Sequence, residues 1–226
     1  MTERIIKAAV RGRYLSIPAT TPGPAPLLLG FHGYAEDAEA QLDRLRSIPG
    51  SDRWLTVSIQ ALHRFYQRRT DRVVASWMTR QDRELAIADN LEYVGNCIDA
   101  ISSEWAALPR IVFAGFSQGV GMAFRAAANA SGRDASVIAT GGDIPPELSP
   151  AALSRLSAVL IARGKSDTWY KEAQFSADRQ RLAEAGVPVQ TIEFEGGHEW
   201  SGDLIATAAD FLGKHAGQTR DVSLTT

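Results

Sequence analysis

Apolar residues in this 226-residue chain cluster in short blocks separated by longer amphipathic stretches. Six blocks, at residues 27–31, 54–59, 111–116, 136–140, 158–162 and 189–194, hold few charges and predict strands buried on both faces. The stretch 82–105 carries Leu85, Ala88, Leu91, Val94, Ile98 and Ile101 near a 3.6-residue period and predicts a helix. Thr79 with Asp82 suggests a capping-box-like start, and Leu108-Pro109 a stop. Further helices are predicted at 38–48, 118–130, 171–185 and 203–215. Buried strands alternating with helices predict an α/β fold: α/β/α, three layers around a mostly parallel twisted sheet.

Three segments stand outside this alternation. Residues 5–17, with Ile6, Ala8 and Val10, then Tyr14 and Leu15 around Gly12, predict an N-terminal β-ribbon. Residues 18–26 hold four prolines and a glycine, which exclude regular structure, so 1–26 reads as ribbon plus connection. Residues 61–80 have no convincing period and predict a long loop, placing Phe65, Tyr66 and Trp77 among Arg64, Arg68, Arg69 and Arg72 as a wall beside a site. The expected organisation is one domain over 1–226, with 216–226 a loose tail.

At 45% apolar residues the chain can bury one substantial core. Lys and Arg number 24 against 26 Asp and Glu, so the net charge of −2 argues against a basic nucleic-acid-binding face. Cys97 is the single cysteine, which excludes an intrachain disulfide. No run reaches the ~18 apolar residues of a membrane span, and no secretory pattern opens the chain, so no membrane insertion and a cytoplasmic location are expected. The four scattered histidines and the lone cysteine give no metal-ligand spacing, and no phosphate-binding loop is present; no metal and no cofactor are expected.

The chemistry is concentrated in Gly115-Phe-Ser117-Gln-Gly119, between a buried strand and an Ala-rich helix. A serine on such a tight turn exposes its hydroxyl, and the glycines allow strand and helix to approach closely. A serine nucleophile needs a base, and the base needs an orienting acid. The strand at 158–162 runs into Lys165-Ser-Asp167, and the strand at 189–194 into Gly197-His198, giving the order Ser117, Asp167, His198. Asp143 is the rival acid, one strand earlier. His32 precedes the serine, and His63 and His215 lie in polar contexts.

Together with Phe31-His-Gly-Tyr-Ala-Glu-Asp37, these motifs make the chain resemble the phospholipase/carboxylesterase group of α/β-hydrolases, over residues 27–212. The resemblance implies a serine esterase or thioesterase acting on small-molecule esters, with the N–H groups of Tyr34 and Gln118 as the oxyanion hole. Relatives usually carry a small apolar residue and a second glycine where Tyr34-Ala35 stand. Relatives also often pair, which admits a homodimer. The stretch 141–156 is too short for a cap domain, so an open cleft is expected, with Trp77, Ile144, Trp169 and Trp200 as pocket candidates. A lactone or amide hydrolase, and a non-catalytic binding protein on the same scaffold, are the alternatives.

Overall fold

The computed structural model describes residues 1–216. Its centre is a seven-stranded sheet in the order β1-β3-β2-β6-β7-β8-β9. The strands are β1 (Arg13–Ile17), β2 (Ala25–Phe31), β3 (Leu55–Gln60), β6 (Ala107–Phe116), β7 (Asp134–Thr140), β8 (Ala158–Gly164) and β9 (Val189–Phe194). All neighbours run parallel except β1, which pairs antiparallel with β3 at one edge. The six predicted core strands therefore all form, and the fold is a three-layer α/β sandwich.

Strand alternation divides the core. Leu27, Leu29 and Phe31 of β2, Ile111 and Phe113 of β6, and Val159 and Ile161 of β8 pack toward α2 (Arg83–Glu104), α3 (Gln118–Asn129) and α5 (Glu172–Glu184). Leu28, Val112, Ala114, Leu160 and Ala162 face the other way, toward α1 (Ala38–Arg46) and α6 (Gly202–Ala216). A strand with helices on both sides must be apolar at successive positions, which is why the blocks lack polar alternation.

Three local expectations are corrected. No ribbon forms over 5–17: the strand is confined to Arg13–Ile17. Upstream, Ile5, Ile6 and Val10 stay exposed, Lys7 pairs with Glu92 of α2, and Gly12 lies where a Cβ would overlap the Tyr93 ring. The stretch 61–80 is no structureless loop but contains an antiparallel hairpin, β4 (His63–Gln67) and β5 (Arg72–Ser76). The hairpin pairs mainly with itself and its outer strand is solvated, so it leaves no apolar period to read. The Thr79–Asp82 capping box is also absent: Asp82 takes φ 50° and makes no side-chain cap, while the Thr79 hydroxyl donates to Gln81 O. Pro109 lies inside β6, at the irregularity between the Ala25–Ala107 and Leu27–Ile111 pairings, where a missing N–H costs no ladder bond. Of the tail expected over 216–226, residues 217–226 lie outside the described residues.

A short four-residue helix, α4 (Pro150–Leu153), sits in the 141–156 connection. Among the described residues, no helix is long and apolar enough to cross a membrane.

Candidate active site

Ser117 caps α3 immediately after β6, with φ 53° and ψ −120°. An L-residue is held there only because its surroundings fix it. A Cβ on Gly115 would lie 2.6 Å from Gly119 O, and one on Gly119 would overlap the Phe31 carbonyl at the end of β2. Strand β6, helix α3 and strand β2 thus meet with no room for side chains, and the Ser117 backbone takes the remaining path. Its N–H donates to Thr140 O at 2.9 Å, and its carbonyl accepts from Val120 N at 3.0 Å.

His198 and Asp167 follow β9 and β8, and their loops are stitched together. Lys165 N donates to Phe194 O and Ser166 N to Gly196 O, both at 2.9 Å. The imidazole Nδ1 donates to Asp167 Oδ2 at 2.8 Å, which leaves Nε2 as the acceptor. Asp167 Oδ1 accepts from Trp169 N at 2.8 Å and Tyr170 N at 3.0 Å, so three N–H groups converge on one buried carboxylate. On its other side the ring lies 5.0 Å from Phe116. Asp143 is exposed and is not the acid bonded to His198.

Ser117 and His198 share a cleft of about 640 Å³ at the carboxyl ends of the strands, with Tyr34, Phe116, Trp200 and Ile205 in its lining. Such crevices are where open α/β sheets bind ligands. A second cavity, about 400 Å³, lies at the amino-terminal ends of β8 and β9 beside α6 and contains none of the candidate residues.

The Tyr34 and Gln118 N–H groups carry no hydrogen bond among the described residues. The Gln118 side chain is turned away from the cleft: its Oε1 accepts from Trp77 N and its Nε2 donates to Met78 O, each at 2.9 Å. The Tyr34 ring is 61% exposed and packs on Phe65 of the hairpin, 5.7 Å between centroids, rather than turning inward. Ala35 takes φ 57°, in the left-handed region that favours glycine. It is held there by bonds to β5: Ala35 N donates to Ala75 O at 3.0 Å, and Ala75 N to Glu36 O at 2.8 Å.

Of the four pocket candidates only Trp200 lines the cleft. Trp77 is fully buried, donating Nε1–H to His32 O at 2.9 Å and packing edge-on against Phe31. Ile144 is buried because its loop is clamped: Arg181 donates to the carbonyls of Ile144, Pro145 and Leu148, and Asp178 accepts from Ile144 N. Trp169 is 77% exposed and lies outside the cleft lining; its contribution is the backbone N–H to Asp167. Two of the four hairpin arginines are structural, Arg72 pairing with Asp37 and Arg64 donating to Arg11 O.

His32 is fully buried. Its Nδ1 lies 2.7 Å from Gly33 O and its Nε2 accepts from Ala61 N, and burial lowers its pKa, so it stays neutral with the proton on Nδ1. Glu36, which lies in the Phe31–Asp37 motif but has no role assigned from the sequence, and Arg44, which the sequence does not single out, also border the cleft. They lie eight residues apart across a loop, a separation that no local periodicity marks. Among the described residues no cluster of His, Cys, Asp and Glu could hold a metal ion.

A family profile for Phospholipase/Carboxylesterase matches residues 21–216. Among curated proteins none matches the sequence. Solved structures similar to this chain include the Bacillus cereus carboxylesterase, with TM-score 0.72 and 15% identity over 90% of this chain and 94% of that one. Acyl-protein thioesterase 2 of Zea mays gives TM-score 0.70 and 18% identity over 92% and 100%. Esterase PE8 gives TM-score 0.68 and 22% identity over 91% and 99%. With the family profile covering most of its length and the same architecture recurring in these structures, the chain belongs to the phospholipase/carboxylesterase family of α/β-hydrolases.

Proposed function

We propose that this protein is a cofactor-independent serine hydrolase that cleaves carboxylic esters or thioesters through an acyl-enzyme. The observation that carries this reading is Ser117 on its strained turn, facing the same cleft as an imidazole oriented by a buried carboxylate. Family membership and the esterase and thioesterase titles of the similar structures point the same way.

In this mechanism the Ser117 hydroxyl attacks the substrate carbonyl while His198 Nε2 takes its proton. Asp167 stabilises the resulting imidazolium. The tetrahedral oxyanion is met by the N–H groups of Tyr34 and Gln118, which carry no hydrogen bond among the described residues. Collapse expels the alcohol or thiol, protonated by His198, and leaves acyl-Ser117. Water then attacks the acyl group under the same base, releasing the acid and restoring the serine. The clamped 141–149 connection and the absence of a cap over the described residues leave the cleft open to small, soluble esters.

The test is hydrolysis of short p-nitrophenyl esters by the wild type and Ser117→Ala, with fluorophosphonate labelling of both. The wild type is expected to turn over and label, and Ser117→Ala to do neither. Equal rates for the two proteins refute the proposal. A matched ester and amide, assayed in parallel, separate esterase from amidase action.

A further inference from the structure

The peptide just before the one that would supply the first oxyanion donor, His32–Gly33, is held by an ion pair. The Gly33 N–H donates to Glu36 Oε2 at 2.7 Å. The same oxygen accepts from one Arg44 nitrogen at 2.7 Å, while Glu36 Oε1 accepts from the other at 2.6 Å, a bidentate clamp. Both side chains are mostly shielded, at 23% and 19% exposure. Burial opposes the charge on Glu36, but the Arg44 guanidinium and the Gly33 N–H outweigh it and hold the carboxyl below its usual range.

Arg44 is itself fixed. Its guanidinium lies 4.1 Å from the centre of the Phe116 ring, the residue preceding Ser117. The clamp therefore ties the loop bearing Tyr34 N–H to the strand end bearing Ser117 and Gln118. The loop needs such a tie, because Ala35 occupies a left-handed conformation without the glycine that would adopt it freely.

We infer that Glu36, locked by Arg44, is a positioning residue for the oxyanion hole: by holding the Gly33 N–H it fixes the residue from which the Gly33–Tyr34 peptide extends, so that the Tyr34 N–H and the Gln118 N–H point at one oxygen. This rests on the serine hydrolase reading. Glu36 touches no reacting atom. A donor turned out of line weakens the transition state more than it weakens the bound substrate, so the effect falls on kcat.

The experiment compares wild type, Glu36→Ala, Glu36→Gln and Ser117→Ala on p-nitrophenyl acetate. It also measures inhibition by an aryl trifluoromethyl ketone, whose adduct with Ser117 presents an oxyanion to the same donors. Glu36→Ala is expected to lose about 10- to 100-fold in kcat, somewhat less than deletion of a donor, with KM changed less than threefold. The ketone Ki should rise by a similar factor. Glu36→Gln, which keeps an oxygen for Gly33 N–H but turns its NH2 group against Arg44, should recover only part of the loss. A folded Glu36→Ala with kcat within twofold of wild type overturns the inference. So does a lower kcat with unchanged Ki, because that pattern marks fewer active molecules rather than a weaker hole. Should Glu36→Ala fail to fold, Arg44→Met releases the clamp while keeping the carboxylate; it is expected to raise Ki, and an unchanged Ki overturns the inference. Loss of activity in Ser117→Ala with none of these effects at Glu36 removes the role of Glu36 alone. Full activity in Ser117→Ala removes the hydrolase reading and this role with it.

Discussion

Replacing Asp167 by Asn tests the proposed triad more sharply than removing it. The two carboxylate oxygens do different work. Oδ1 accepts the backbone N–H groups of Trp169 and Tyr170, at 2.8 and 3.0 Å, and Oδ2 accepts Nδ1–H of His198 at 2.8 Å. An amide has one acceptor and one donor end. Two fixed backbone donors outcompete one side chain, so the Asn oxygen takes the Oδ1 place and its NH2 group faces the imidazole. His198 must then carry its proton on Nε2 and accept at Nδ1. In that tautomer it cannot take the Ser117 proton. A wrong-tautomer base in a serine triad lowers kcat by about 10⁴, or about 5 kcal/mol in the barrier. The assay is p-nitrophenyl acetate hydrolysis at neutral pH, with thermal unfolding to show that the variant folds. Asp143→Asn, altering an exposed residue outside the Asp167–His198 pair, should stay within about threefold of wild type. A loss below tenfold in Asp167→Asn, or an equal loss in Asp143→Asn, refutes the assignment.

Gly119→Ala places a methyl group against the Phe31 carbonyl and 2.7 Å from His32 O, so the start of α3 must retreat by about 1 Å. A displacement of that size beside the reacting atoms is expected to lower kcat about 100-fold, against a stability cost of about 1–3 kcal/mol; a fall confined to stability, read by urea unfolding, contradicts it. Asp178 is buried, and burial, despite bonds from Ile144 N–H and the Tyr170 hydroxyl, pushes its pKa up to about 6 from 3.8. The folded state therefore holds a proton that the unfolded chain has released, and this contribution to stability falls as pH rises between about 4 and 6. Asp178→Asn should accordingly gain about 2.5 kcal/mol relative to wild type on going from pH 4 to pH 8, a relative Tm shift of about 5–10 °C; a pH-independent difference refutes the assigned ionisation.

The strands and the order of the three candidate residues were legible because both depend on local sequence. Leu27 to Phe31 must be apolar throughout to lie between two helical layers, and Gly115 and Gly119 must be glycines where backbones touch. Aromatic side chains outside a period are different. Trp77, Trp169 and Trp200 look alike in sequence, yet one is fully buried against Phe31 and His32, one is 77% exposed, and one borders the cleft. What separates them is contact with residues far away in the chain. Glu36 stands in the Phe31–Asp37 motif, but its role was not legible for the same reason: its partners are a backbone N–H three residues earlier and an arginine on the next helix, a pairing created only when the loop folds back.

The hairpin is where the two kinds of information part most clearly. Its sequence, charged and without period, reads as a solvated wall, and Tyr66 is indeed 67% exposed. Yet β5 hydrogen-bonds to Ala35 and Glu36 on one side of the candidate oxyanion hole, and the segment just after it binds the Gln118 side chain on the other. Trp77 closes the bridge by donating to His32 O at the end of β2. One hairpin and its exit segment thus grip both the Tyr34 loop and the start of α3, whose N–H groups would have to converge on a single oxygen. A backbone amide is a stiff donor only if its neighbours cannot rotate, and here those neighbours are tied down by main-chain and buried side-chain bonds rather than by apolar packing alone. Hydrophobic periodicity reports packing. It carries no trace of this lattice of polar ties, so the segment least readable from the pattern of apolar residues is the one that braces the candidate hole from both sides.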